Sequence, residues 1–166
     1  MNQKILILAT GGTLDKEYNA LTGELEFSHS HVKHMLTQAQ SALDVDLNVL
    51  MLKDSLEMNL VDRQMIAQAC ISSRCKQIVI THGTDTITDT AEHLLEYDKL
   101  ENKTVILTGS MRPHKFGHSD ALFNLGTALM AAQIAEPGVY ITMNGQLHPA
   151  GTCIKDRSRG IFVQKN

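Results

Sequence analysis

Gln77-Ile78-Val79-Ile80-Thr81-His82-Gly83-Thr84-Asp85-Thr86 is an apolar run that stops at a glycine and then turns into hydroxyls and a carboxylate. The consecutive Ile78, Val79 and Ile80 are the signature of a strand covered on both faces in a parallel sheet. The chain opens in the same way, with Lys4 to Ala9 (KILILA) leading into Thr10-Gly11-Gly12-Thr13. In an open parallel sheet, ligands bind in the crevice beyond the carboxyl ends of the strands. Glycines let the backbone turn sharply there, and each turn presents a threonine, Thr13 or Thr84, at the edge of that crevice. Two hydroxyls and a carboxylate converging on one cleft point to acyl-transfer chemistry more than to a phosphate cradle.

Outward from these turns the pattern alternates strand and helix. A polar, glycine-containing loop is expected from Thr10 to about Phe27. Helical spacing of Val32, Met35, Leu36, Ala39 and Leu43 predicts a helix beginning near Ser30. A strand at Leu47 to Leu52 precedes a helix from about Leu60 to Ser73 that turns Met65, Ile66 and Ala69 inward. The strand at Gln77 to Thr81 leads to a helix over about Thr88 to Tyr97. The strand Thr104 to Thr108 leads, through a long loop, to a helix from Asp120 to about Ala135. A last strand, Val139 to Met143, precedes a tail, Gln146 to Val163, with room for one more hairpin. Strands alternating with helices predict an α/β fold: a doubly wound, mostly parallel sheet in three layers, with helices on both faces.

Composition narrows the function classes. A chain of 166 residues fits one domain with a substantial core. A formal charge of -3 argues against nucleic acid and anionic membrane as partners. Aromatics make up only 4%, without tryptophan, so stacking platforms for single strands are not expected. Cys70, Cys75 and Cys153 form no CxxC pair, which suits a reducing, cytoplasmic compartment. The first apolar run breaks at Gly11 and is too short for a secretory core or a membrane span.

Each strand end carries groups able to do chemistry. Lys53-Asp54-Ser55-Leu56-Glu57-Met58 follows the second strand, Thr108-Gly109-Ser110-Met111-Arg112-Pro113 the fourth, and Met143-Asn144-Gly145 the fifth. Neither GxGxxG nor GxxxxGK[ST] occurs, so nucleotide-phosphate binding lacks its fingerprint. Threonine is a weak nucleophile and needs an activating partner; Tyr18 on the following loop and Lys155 near the end of the chain are the candidates. Asp85 has either Lys155 or a substrate ammonium to pair with. Helix capping is a competing reading for Thr84 and Asp85, which stand just before a helix. His29, His31 and His34 cluster at a helix start, where no carboxylate or cysteine completes a ligand spacing. They read as a solvated helix face. His114 and His118 read as loop residues, His82 as an orienting or packing residue, and Cys153 and the methionines as core filling.

ATGGT, DSLEM, THGTDT and TGSMRP, in that order and each at a strand end, resemble the bacterial-type L-asparaginases. The resemblance spans residues 1–166 as a single N-terminal-type domain of that family, with the family's smaller C-terminal domain absent. It implies hydrolysis of a small amino-acid amide, L-asparagine or a relative, to the acid and ammonia, with no cofactor and no metal. Thr13 matches the nucleophile that forms an acyl-enzyme, and Tyr18 the loop tyrosine that helps activate it. Thr84, Asp85 and Lys155 match the second, triad-like set, and Asp85 also the holder of the α-ammonium. Ser55 matches the serine that binds the α-carboxylate, with Leu56 offering its backbone. Ser110 falls where the family makes a backbone contact to the leaving amide. Asp120 and Asn124 match a structural segment. Backbone N–H groups at Gly12 and Gly83 are expected to line an oxyanion hole. A homo-oligomer, dimer or tetramer, is implied as well.

Overall fold

The computed structural model describes residues 4–166. Its elements are β1 (Ile5–Gly11), the hairpin β2 (Lys16–Asn19) and β3 (Glu24–Phe27), α1 (Val32–Gln38), β4 (Val45–Lys53) and α2 (Leu60–Ser72). They continue with β5 (Gln77–Thr81), α3 (Ile87–Leu94), β6 (Thr104–Thr108), α4 (Ala121–Ile134) and β7 (Gly138–Met143). The tail adds β8 (Gln146–Pro149), β9 (Cys153–Asp156) and β10 (Ile161–Gln164).

The central sheet has six strands in the order β4-β1-β5-β6-β7-β8. The first five are parallel; β8 turns back antiparallel on β7. Alternation along β5 explains the three layers. Ile78 and Ile80 face one way, into a core shared with Ile66 and Cys70 of α2 and Ala91 and Leu94 of α3. Val79 faces the other way, among Met35 of α1 and Leu125 and Ala128 of α4. Successive strand residues therefore bury into opposite cores, and the doubly wound sheet with helices on both faces is as the sequence predicts. Among the described residues, no helix is long and apolar enough to cross a membrane.

The chain leaves β1 toward β4 on one side, then returns to β5 and proceeds toward β7 on the other. The order thus reverses between β1 and β5, which is where doubly wound sheets open a ligand crevice. Gly12 and Gly83 occupy the two lips of that crevice. Gly12 has φ 76° and ψ 179°, a conformation almost confined to glycine. A Cβ on Gly12 would lie 2.6 Å from the Gly83 Cα, and one on Gly83 would lie 2.6 Å from the Ser55 Oγ. Three loops, from β1, β4 and β5, touch backbone to backbone here because two of them lack side chains.

Several expectations need correction. The loop after β1 holds the antiparallel hairpin β2–β3, whose short polar strands (KEYN and ELEF) carry little alternation to reveal them. The first helix ends at Gln38, and Gln40 adopts φ 50°, so Ala39 and Leu43 lie beyond it. The inward face of α2 is Ile66, Ala67 and Cys70, whereas Met65 is exposed. The tail gives two elements where the sequence suggests one hairpin: β8 extends the sheet and β9–β10 forms the hairpin. His31 is not on a solvated face. It caps α1 and is 2% exposed, with Nε2 3.3 Å from Glu17 Oε2. A tertiary contact from a hairpin invisible to periodicity supplies that carboxylate.

Gly117 has nearly the backbone of Gly12 (φ 66°, ψ 169°), but a Cβ there would meet nothing within 4 Å. The pair separates backbone strain from crowding. Gly12→Ala should cost about 1–3 kcal/mol more than Gly117→Ala, the ordinary penalty of overpacking. Urea unfolding of both variants measures the difference, and equal losses would contradict the close approach.

Candidate active site

Four strand ends deliver residues to the crest of the sheet. Thr13 opens a short 3-10 turn directly after Gly12, and the Gly12 N–H donates to the Lys53 carbonyl at 2.9 Å, fixing the turn against the end of β4. Among the described residues no hydrogen bond occupies the Thr13 hydroxyl. Ser55 lies beneath the Gly83 turn, 1% exposed, with Oγ accepting from the Thr86 N–H at 3.3 Å. Accepting leaves the serine proton free to be donated. The Leu56 N–H, by contrast, is already given to Asp54 Oδ1 at 3.0 Å.

Thr84 and Asp85 do not cap α3. Its N-cap is Thr86, whose hydroxyl donates to the Ser55 carbonyl at 2.8 Å instead. The side chains of Thr84 and Asp85 meet the tail. Lys155 Nζ donates to Thr84 Oγ1 at 2.8 Å and to Asp85 Oδ1 at 3.0 Å. The hairpin β9–β10 aims Lys155 there because Cys153, two residues earlier and on the same face, is buried in the α2/α3 core with Phe162. The Phe162 N–H is tied to Asn144 Oδ1 at 2.9 Å, which joins this hairpin to the end of β7. Cys153 is therefore a packing residue, as its sequence context suggests.

Burial works against ionisation of Asp85, yet hydrogen bonds from Lys155 and from Arg157 outweigh it and hold the carboxyl below the usual range. Arg157 Nη1 donates to the same Oδ1 at 2.6 Å. That second cation carries no signal in the sequence, although it stands only two residues beyond Lys155. Met111 packs against the α2/α3 core, as the sequence suggests for methionines, and its sulfur also accepts from the Thr84 hydroxyl at 3.6 Å.

A polar network behind the crest is also invisible to sequence reasoning. Arg63 on α2 donates through Nε to Thr90 Oγ1 at 3.1 Å and through Nη2 to Thr86 Oγ1 at 3.0 Å. The Thr90 oxygen in turn contacts His82 Nε2 at 2.8 Å, and His82 Nδ1 lies 2.8 Å from the Gly83 carbonyl. A carbonyl only accepts, so Nδ1 carries the proton and Nε2 takes one from Thr90. Full burial pushes the His82 imidazole down to about 4, against the opposing pull of the Gly83 carbonyl. His82 is thus a neutral positioning residue that fixes the Gly83 turn. No strand-end pattern points to Arg63, which comes from a helix face.

The loop after β6 is held differently. Gly109 abuts the His82 carbonyl. Asp120 accepts from the Met111 N–H at 2.9 Å and the Arg112 N–H at 3.1 Å, and Asn124 Nδ2 donates to the Gly109 carbonyl at 2.9 Å. Asp120 and Asn124 accordingly act on the loop, not on the crevice. Ser110 is buried and its hydroxyl turns to the Arg112 carbonyl at 2.7 Å, which leaves only its backbone for a ligand. Among the described residues no hydrogen bond joins Tyr18 to Thr13. Tyr18 projects from the hairpin, 58% exposed, with its hydroxyl 4.0 Å from where a Cβ on Gly23 would stand. Lys16 of that hairpin pairs with Asp54 at 2.5 Å, so the hairpin base is clamped while its tip extends away.

Comparison with known proteins identifies the family. The family model described as "Asparaginase, N-terminal" matches residues 4–162. The chain belongs to the asparaginase family. The thermostable L-asparaginase of Thermococcus kodakarensis superposes with a TM-score of 0.84 at 29% identity, covering 99% of this chain and 52% of that one. L-asparaginase I of Vibrio cholerae superposes with a TM-score of 0.86 at 26% identity, covering 100% of this chain and 52% of that one. A component of the glutamyl-tRNA(Gln) amidotransferase of Methanococcus vannielii is 30% identical over 98% of this chain and 38% of its own length. The asparaginase domain here thus spans about half, or less, of the length of these relatives.

Keeping His82 neutral gives the domain an acid-sensitive element. Its folded pKa of about 4 lies below the ordinary 6.5, so its stabilising share is full above pH 6.5 and is lost as pH falls through 4. The loss should reach about 3 kcal/mol. His82→Gln lacks this share, so the stability gap between wild type and variant should close on acidification in urea titrations. A gap that stays constant with pH would contradict a buried neutral imidazole.

Proposed function

We propose that this asparaginase-family domain is an amidohydrolase that cleaves L-asparagine, or a related small amino-acid amide, through a threonine acyl-enzyme. The observation that carries the proposal is Lys155 Nζ bridging Thr84 Oγ1 and Asp85 Oδ1. A binding module needs a cation or an anion there; it does not need an amine on a threonine hydroxyl.

In this reading Thr13 Oγ attacks the side-chain amide carbon and the Gly83 N–H receives the oxyanion, since the Gly12 N–H expected to join it is already given to the Lys53 carbonyl. Collapse breaks the C–N bond, the nitrogen takes the proton that the Thr13 hydroxyl gives up and leaves as ammonia, and an ester to Thr13 remains. Water, oriented by the Thr84 hydroxyl beside Lys155 and Asp85, then attacks the ester; the C–O bond to Thr13 breaks, and the proton that water gives up returns to the Thr13 oxygen by way of the Thr84 hydroxyl. Ser55 donates to the α-carboxylate, the backbones of Leu56 and Ser110 border the ligand, and Asp85 faces the α-ammonium. Arg157 shares Asp85 and must swing aside, or lend it charge balance, when an ammonium arrives. Tyr18, on the β2–β3 hairpin, would help to activate Thr13.

A second reading has a specific observation behind it. The relative from Methanococcus vannielii, matched over 98% of this chain, is part of an amidotransferase. The same chemistry would then release ammonia for a partner chain. Either way we propose that additional protein, a second copy or a partner, covers the open side of the crevice, and that the domain works in the cytoplasm. A third outcome, a non-catalytic amino-acid-binding module, would show tight binding of aspartate or asparagine by calorimetry without turnover.

Ammonia release from L-Asn, L-Gln and D-Asn is the test. Thr13→Ala and Thr84→Ala should each lower kcat by at least about 10³-fold, as for other nucleophile and activator deletions. Lys155→Met should lower it by about 10²–10⁴-fold with Asp85 and the fold intact. A folded protein that releases no ammonia from any of the three, alone or with a partner, is not an amidohydrolase.

A further inference from the structure

The β2–β3 hairpin and the segment leading into α1 bring together three groups that the amide chemistry does not use. Glu17, His29 and His31 each offer a ligand atom, and these atoms lie within 4.8 Å of one another. His31 is the informative member. It is 2% exposed, and its Nε2 makes no hydrogen bond although it is buried. A buried ring nitrogen left without a partner is costly and calls for an explanation. That nitrogen lies 3.3 Å from Glu17 Oε2 without being hydrogen-bonded to it.

We propose that Glu17, His29 and His31 form a divalent transition-metal site, best suited to Zn²⁺, that staples the hairpin to the start of α1. Tetrahedral zinc bonds its ligands at about 2.0–2.1 Å, which places two ligand atoms about 3.3 Å apart along an edge. The Glu17–His31 pair already has that separation. His29 is exposed and closes the third corner by a small ring rotation; a water takes the fourth.

The surroundings hold the ligands as metal sites do. The Ser28 hydroxyl is 2.7 Å from His29 Nδ1 and so holds the ring in place. The His31 N–H donates to the buried Asp15 Oδ1 at 2.7 Å, locking the backbone beneath the ring. Burial lowers the His31 pKa. Lys115 and His114, on the facing turn, also act on His31 electrostatically and oppose a cation. The site is therefore a moderate one. A two-stranded hairpin is marginal alone in water, so a metal clip at its base would add order where the fold adds least.

Titration of ZnCl₂ into the chelator-treated full chain, followed by calorimetry, tests the proposal without reference to enzyme activity. One site of micromolar or tighter affinity is expected, and Co²⁺ in its place should show the visible bands of tetrahedral coordination. Glu17→Gln and His29→Ala, both outside the buried core, should each weaken binding by at least about tenfold, or 1.4 kcal/mol. Lys115→Gln should tighten it. No binding, or binding that these variants leave unchanged, would overturn the site. Loss in His34→Ala or His114→Ala alone would assign the metal to that pair, 3.3 Å apart, and overturn it equally.

Discussion

Everything at the crest of this sheet depends on the close approach of Gly12 to the Gly83 backbone and of Gly83 to Ser55. Loops that end neighbouring parallel strands normally stand off by the thickness of their side chains. Here two glycines remove that spacer, and a Cβ on either would fall inside its neighbour. The gain is convergence: Thr13, Ser55 and the Thr84–Asp85 pair arrive at one crevice from three strands. The crevice falls at the reversal of strand order between β1 and β5, the one place where the sheet opens without losing a strand.

Convergence alone would leave the hydroxyls idle. The second layer of the construction is polar and comes from far along the chain. Arg63, Thr86, Thr90 and neutral His82 fix the Gly83 turn from behind. The β9–β10 hairpin carries Lys155 to its front from 71 residues away. Apolar anchors make that long-range contact stable, since Cys153 and Phe162 are buried in the same core that α2 and α3 share with β5. The contact of Lys155 with Thr84 is thus coupled to packing, and loosening Phe162 would move Lys155.

Residues with local signals were legible in the sequence. The runs at Ile78 to Ile80 and Ile5 to Leu8 read as strands because consecutive branched residues have few alternatives. Gly12, Gly83, Thr13 and Thr84 read as a strand-end cluster because ligand crevices lie at that edge of a parallel sheet. Residues whose role comes from tertiary contact were not legible. Arg63 is one charge on a helix face, Arg157 one charge in a tail, and Glu17 part of a polar hairpin without periodicity. His31 shows why: its meaning changes from solvated to buried only when Glu17 and Asp15 fold onto it. The capping reading of Thr84 and Asp85 fails for the same reason, since Lys155 competes for their side chains and wins.

The central claim is that glycine packing assembles one amide-binding crevice from three strand ends. A crystal structure of the protein with L-aspartate, the product of the proposed reaction, tests it most directly. The side-chain carboxylate should lie between the Thr13 and Thr84 hydroxyls, the α-carboxylate on Ser55 and the ammonium toward Asp85. Aspartate held elsewhere, or Thr13 and Thr84 hydroxyls pointing away from it at saturation, would contradict the account.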